Sequence, residues 1–337
     1  MKIENCPKQQ RTHVGIAGIG LYFPEKTVDT RVEAKIHKLP ENVYKNIGID
    51  RIYVPNQKEQ PSYMAYHSSK EALLDSDTDP EDIDLIIVSC FKNDFYHWAM
   101  SDWLCDRLGF KNALTIEIKG GCGAFYQAIE FGVNQINGSK NIKTVMVVSS
   151  ERLFGYGWPS FMSAGSQAVI LKENSDKYEF LGFSTYNYLK YHAMAYIPYG
   201  GTAQPFQKSP EWKGEDFTSN VVVDRDMYFD HIKPYVFDNF RYVTKQLLDK
   251  TGVNIEEIDF FVTLIQQDNF EKRVQTSIGI PEVKNAAEFK RKLGHFSGAD
   301  PYVLIKLSQE SGLIKKGDLI LNIGLGGVAW YATLIRY

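Results

Sequence analysis

The chain is poor in the residues that hold small or metal-dependent folds together. Its 337 residues include four cysteines, Cys6, Cys90, Cys105 and Cys122, and none are spaced as a disulfide framework or a zinc site would need. The seven histidines are scattered, with no HxxxH or similar ligand pair, so the expectation is that no metal is bound. No apolar run approaches the ~18 residues of a membrane-crossing helix. The first residues, Met1-Lys2-Ile3-Glu4-Asn5-Cys6, lack the apolar stretch of a secretion signal. Charge is nearly balanced, with 38 basic and 41 acidic side chains and a formal net charge of −3. A polyanion would find no electrostatic footprint here, which argues against nucleic acid or a membrane surface as partner. Free thiols and the absence of a signal are expected of a cytoplasmic protein.

What the chain does have is α/β patterning. His13 to Tyr22 reads as a first strand containing Gly15, Gly18 and Gly20. The glycine spacing is not that of a dinucleotide fingerprint, and Phe23-Pro24 stands where the helix of such a site would begin. Ser62 to Leu74 has helical spacing. Ile83-Asp84-Leu85-Ile86-Ile87-Val88 is the nearly continuous apolar run of a strand buried on both faces. Further strands are expected at Leu114–Ile118, Thr144–Val148 and Gln167–Leu171, with helices from Ala124 to Asn137 and from His231 to Lys250. The aromatic stretch from Asp94 to Leu108 reads as core or dimer-interface packing, with the wall of a substrate tunnel as the other reading. Lys172 to about Asp226, rich in Tyr, Gly and Pro, reads as an irregular lid or pocket wall.

The pattern repeats. Glu81–Val88 resembles Glu256–Thr263, and Gly138 followed by Val145–Val148 resembles Gly312 followed by Leu319–Asn322. Two related halves, 1–172 and 173–337, are expected to face each other across a pseudo-twofold axis in a layered α/β protein. The repeat pairs the neighbourhood of Cys122 with that of His295, and the end of the Ile83 strand with Gln266. Cys122 sits in Lys119-Gly120-Gly121-Cys122-Gly123-Ala124, a glycine-flanked turn from strand to helix. Such a turn exposes the sulfur to substrate and places it at a helix N-terminus, which favours thiolate. A histidine within reach is the usual base for a cysteine nucleophile. N–H groups of Gly324-Leu325-Gly326-Gly327, after a late strand, can hold the oxyanion of a thioester intermediate. Taken singly, Cys122 could be a buried structural thiol, His295 a core histidine, and the glycine run only a turn.

Across nearly its whole length the sequence resembles the ketoacyl-synthase III type of condensing enzyme. The resemblance is carried by Gly18–Pro24, Gly48-Ile49-Asp50-Arg51, Asp82–Ile87, Gly121-Cys122-Gly123-Ala124-Phe125 and Gln266-Gln267-Asp268-Asn269. Toward the C-terminus it continues in Gly294-His295-Phe296-Ser297-Gly298-Ala299, Gly317–Leu321 and Gly326-Gly327-Val328-Ala329-Trp330. It implies the thiolase fold, an α/β five-layer αβαβα sandwich of two similar halves. It also implies a homodimer and an acyltransferase in which Cys122 accepts an acyl group from a coenzyme A or acyl carrier protein thioester. No separate cofactor is implied. Cys122, His295 and Gln266 would be catalytic, Gly326 and Asn269 substrate-binding, and the N–H groups of Cys122 and Gly326 the oxyanion hole. A malonyl thioester would then lose carbon dioxide, and its carbanion would attack the acyl-cysteine.

Some residues depart from that pattern. The family's usual histidine position holds Gln266, and its usual asparagine position holds His295, an arrangement similar to that of thiolases. No second cysteine stands near the C-terminal glycine run, which argues against non-decarboxylative thiolase chemistry. The positions of the family's adenine clamp hold Asn42 and Asn46, which favours delivery by a carrier protein. Lys290-Arg291-Lys292 could receive an acidic carrier, or be a solvated charged loop. Two other functions stay open: acyl transfer to an oxygen or nitrogen acceptor, and a silent partner subunit of a heteromeric synthase.

Overall fold

The computed structural model describes residues 13–36, 38, 48–153, 162–196, 202, 222–266 and 268–337. Ten strands form its main sheet: β1 (Val14–Tyr22), β2 (Leu85–Ser89), β3 (Leu114–Ile118), β4 (Thr144–Arg152), β5 (Ala164–Glu173), β6 (Tyr178–Asn187), β7 (Phe260–Thr263), β8 (Lys284–Asn285), β9 (Leu319–Gly326) and β10 (Ala329–Arg336). Six helices concern the argument: α1 (Pro61–Asp75), α2 (Met100–Leu108), α3 (Ala124–Gly138), α4 (Val236–Thr251), α5 (Asp268–Ile278) and α6 (Asp300–Glu310).

The strand order is β8-β7-β9-β10-β6-β1-β5-β4-β2-β3. The first five strands of the chain occupy one half of the sheet and the last five the other, in the same relative order, which is the pseudo-twofold expected from the repeat. Among the described residues, the two half-sheets pair where Gly15 and Ile16 of β1 meet Glu179 and Tyr178 of β6. There a Cβ on residue 15 would lie 1.6 Å from the Tyr178 carbonyl oxygen, so only glycine fits.

Alternation along the strands builds the layers. In β2, Leu85 and Ile87 face the central layer with α3, while Ile86 and Val88 face α1 and α2. In β7, Phe260 and Val262 face the centre, and Phe261 faces α4. A strand covered on both faces must be apolar throughout, which is why β2 reads as a continuous run. The central helices carry the apolar residues at helical spacing: Phe125, Ala128, Ile129, Val133 and Ile136 in α3. Helix α6 is buried on most of its circumference, from Asp300 to Lys306, because it lies between the two half-sheets. Each fully buried Leu, Ile or Phe there contributes roughly 1.5–3 kcal/mol. The result is helix, sheet, helix, sheet, helix: the five-layer thiolase arrangement, with the two sheets joined along one edge.

Two expectations need correction. The segment after Lys172 is not irregular throughout, because β6 runs through it as an inner strand. Its sequence, YEFLGFSTYN, has neither a continuous apolar run nor clean alternation. Residues 197–201 and 203–221 of that segment lie outside the described residues, as do Asn42 and Asn46. The helix expected from His231 begins only at Val236, after a π-helical turn at Met227–Ile232 and a short turn at Lys233–Tyr235. No helix among the described residues is long and apolar enough to cross a membrane.

Candidate active site

Strand β3 runs into a turn at Gly121–Gly123, and α3 follows at once. Gly121 has φ +58°, a left-handed conformation that a side chain would strain. The equivalent place before α6 is the turn Ser297–Ala299. The two turns touch. A Cβ on Gly298 would stand 2.0 Å from the Cys122 carbonyl oxygen. By the repeat it is therefore Gly298 that takes the place of Cys122, with His295 just before it. On a third side Gly326 closes in, since a Cβ there would lie 2.1 Å from the Gly123 nitrogen. Below the turn, Cys122 packs on Tyr126, Leu264, Ala329 and Tyr331.

This crowding brings Cys122 Sγ to 3.5 Å from His295 Nε2. The other ring nitrogen, Nδ1, faces Asp300 Oδ2 at 2.5 Å. Asp300 is fully buried, and backbone N–H groups hold it in place. Phe296 donates to Oδ1 at 3.0 Å, and Ile265 donates to Oδ2 at 2.8 Å. An ionised carboxylate only accepts, so Nδ1 carries its hydrogen and Nε2 is directed at the sulfur. Burial alone would push the His295 pKa down. The Asp300 carboxylate and Cys122 outweigh it and hold the ring well above the usual imidazole range. The arrangement can therefore present a charged imidazole ring to the sulfur of Cys122.

Gln266 is half-buried and follows Ile265, whose N–H donates to Asp300, so it stands at the edge of the same cluster. Asn269 is exposed on the first turn of α5. Lys290-Arg291-Lys292 is not a free cationic patch. Lys290 is buried and paired with Glu271, Arg291 forms a two-pronged pair with Asp50, and Lys292 lies 3.8 Å from Glu288.

A model of the 3-oxoacyl-[acyl-carrier-protein (ACP)] synthase III C-terminal family matches residues 248–337. Beta-ketoacyl-[acyl-carrier-protein] synthase III 1 of Bacillus cereus is 26% identical over 96% of this chain and 99% of its own length. The corresponding synthase III of Clostridium perfringens is 27% identical over 95% of this chain and 98% of its own. From end to end the chain is similar in sequence to ketoacyl-synthase III enzymes. In fold, this synthase-like chain matches the crystal structure of 3-oxoacyl-[acyl-carrier-protein] synthase III from Aquifex aeolicus, with a TM-score of 0.80 at 23% identity, over 96% of this chain and 100% of that one.

Two buried acids complete the site without a signature motif in the sequence. Asp300 directly follows the Gly294–Ala299 motif, where an acid opening a helix is ordinarily a cap. Glu151 lies beyond the Thr144–Val148 strand expected from the apolar run. Its place on the same face of β4 as Val145 and Val147 was the available signal. The Glu151 carboxyl accepts from Phe91 N–H at 3.1 Å and bonds the hydroxyl of Ser297, a residue held at φ +82°. Burial pushes its pKa up to about 8, a push that the Phe91 N–H, Ser297 and the charge of His295 only partly offset.

Between the ordinary carboxylate value of ~4.3 and 8, the folded chain keeps a proton here that the unfolded chain has lost. Stability therefore falls as pH rises through that window. Glu151→Gln, neutral at every pH, is expected to remove a slope on the order of 3 kcal/mol between about pH 5 and pH 8. Urea unfolding at several pH values reads this directly, and an unchanged slope would refute it.

Proposed function

We propose that the chain loads an acyl group from an acyl carrier protein or coenzyme A thioester onto Cys122 and joins it to a malonyl-type thioester by decarboxylative Claisen condensation. The observation that carries this reading is the contact of Cys122 Sγ with His295 Nε2 at 3.5 Å, between two helix N-termini. The Cys122 thiolate attacks the donor carbonyl. The N–H groups of Cys122 and Gly326 receive the negative charge on oxygen, and the donor thiol departs. The second thioester then loses carbon dioxide, with His295 and Gln266 as hydrogen-bond donors to its oxygen, and its carbon attacks the acyl-cysteine. Side chains and backbone supply all of this, with no bound cofactor.

Free Cys90, Cys105 and Cys122 support a reducing, cytoplasmic setting. The unusual His295–Gln266 pair supports a specialised substrate. A homodimer is supported by edge strand β3, on which Leu114 is exposed. An open edge of this kind is ordinarily covered by a partner.

The test is the intact mass of the protein after exposure to a panel of acyl-coenzyme A and acyl-carrier thioesters. We expect an adduct on the wild type and none on Cys122→Ala. Adding malonyl thioester to the loaded enzyme should then release carbon dioxide and discharge the adduct. Discharge to an alcohol or amine without carbon dioxide release would instead indicate simple acyl transfer. An adduct that survives in Cys122→Ala would overturn the assignment of the nucleophile.

A further inference from the structure

Both ring nitrogens of His295 are committed, one to Asp300 and one to Cys122. The neutral ring and the charged ring then differ in one respect. In the neutral ring, Nδ1–H points at Asp300, and Nε2 is a lone pair that can only accept. In the charged ring, Nε2 is a donor. Condensation asks for a donor, because negative charge gathers on the thioester oxygen as carbon dioxide leaves. A histidine that had given up its proton during loading would present that oxygen with a lone pair.

We propose that Asp300 is a positioning residue that keeps His295 doubly protonated through both half-reactions, so that Nε2–H acts as a fixed hydrogen-bond donor rather than a base that cycles. The proposal rests on the condensation reading above. Its physical support is the burial of Asp300, its two backbone donors from separate segments, and its 2.5 Å approach to Nδ1. Two N–H groups fix the carboxylate so that it cannot turn away from the ring. Other ionisable groups near the ring are Cys122 from the turn before α3 and Glu151 from β4, while Tyr126 of α3 faces Asp300 and Cys122.

The electron and proton balance closes without a change at His295. In loading, the Cys122 thiolate forms a bond to the acyl carbon, the carbon–sulfur bond of the donor breaks, and the pair leaves on the donor sulfur. That sulfur takes one proton from solvent. In condensation, the bond to the departing carboxylate breaks and its pair becomes the enolate, held by Nε2–H of His295. The enolate carbon bonds to the acyl carbon, and the acyl–sulfur pair returns to Cys122 as thiolate beside the imidazolium. One proton is consumed per turnover, and it is taken by the departing donor thiol.

Two experiments decide the point. In the full-length wild type labelled with ¹⁵N-histidine, His295 should show both nitrogens protonated near neutral pH, before and after acylation of Cys122. A single protonated nitrogen in the acyl-enzyme would overturn the proposal. In Asp300→Asn, carbon dioxide release from a malonyl thioester should fall by about 100-fold or more, while acyl loading stays within about 10-fold. The lost rate should return as pH is lowered through ~6.5, where a free imidazole protonates by itself. A loss that no pH restores would indicate a structural role only and would overturn the proposal. If this variant does not fold, the wild-type spectra decide. If the wild type releases no carbon dioxide from malonyl thioester, the condensation reading fails, and the spectra still report separately on the protonation of His295.

Discussion

Gly298→Ala is expected to load acyl groups at least ~100-fold more slowly than the wild type, because a misplacement of about 1 Å costs that much. The added Cβ would stand 2.0 Å from the Cys122 carbonyl oxygen, 3.1 Å from its carbonyl carbon and 3.2 Å from Phe125 Cβ. The nearest obstacles are backbone atoms at the start of a packed helix, not the end of a flexible side chain. The two turns must part, and the sulfur and imidazole part with them. Overpacking of this kind also destabilises by about 1–3 kcal/mol. The matched control is Gly312→Ala. Gly312 has φ +75° with nothing within 4 Å of a new Cβ, so the change costs roughly 1–2 kcal/mol of backbone strain and leaves loading unchanged. Single-turnover acylation followed by mass, with urea unfolding alongside, separates the two effects. Wild-type loading by Gly298→Ala would show that the turns have room the structure does not give them.

The second large effect concerns stability. Lys290 and Glu271 form an ion pair in which both residues are buried, at 4% and 7% exposure. Lys290→Met leaves the carboxylate without its partner and is expected to cost about 3–5 kcal/mol. Combining it with Glu271→Leu removes both charges and should recover most of that loss, since two apolar side chains need no pairing. The measurement is the urea midpoint of the two single variants and the double. Equal losses in the single and double variants would mean that the side-chain stems carry the stability, not the charges. The pair also takes one of three consecutive basic residues out of the surface, leaving Arg291 and Lys292 exposed beside Asp50 and Glu288.

The fold was legible wherever burial on both faces leaves a plain apolar run. Strands β2, β4 and β7 and helix α3 are of that kind, and the duplicated Ile-Asp-apolar segments revealed the repeat. Strand β6 was not legible, because half-buried aromatics, glycine and polar residues mix along it and its place in the sheet comes from pairing with β10 rather than from its own pattern. At the site, Cys122 and His295 could be read from glycine turns at related points in the two halves. Asp300 and Glu151 could not, since their roles arise from contacts between segments far apart in the chain. One such contact is Ile265 N–H to Asp300, and another is Phe91 N–H to Glu151. Nor does the sequence distinguish a lysine that faces water from one that has turned inward, as Lys290 has.

The middle layer is shared property. Helix α3 belongs to one half and α6 to the other, yet both lie within a single apolar cluster together with strands of both half-sheets. Neither half, synthesised alone, could cover that face, and each would be left sticky and without a finished nucleophile turn. The two turns are therefore completed together, since each is closed by contacts from the other half.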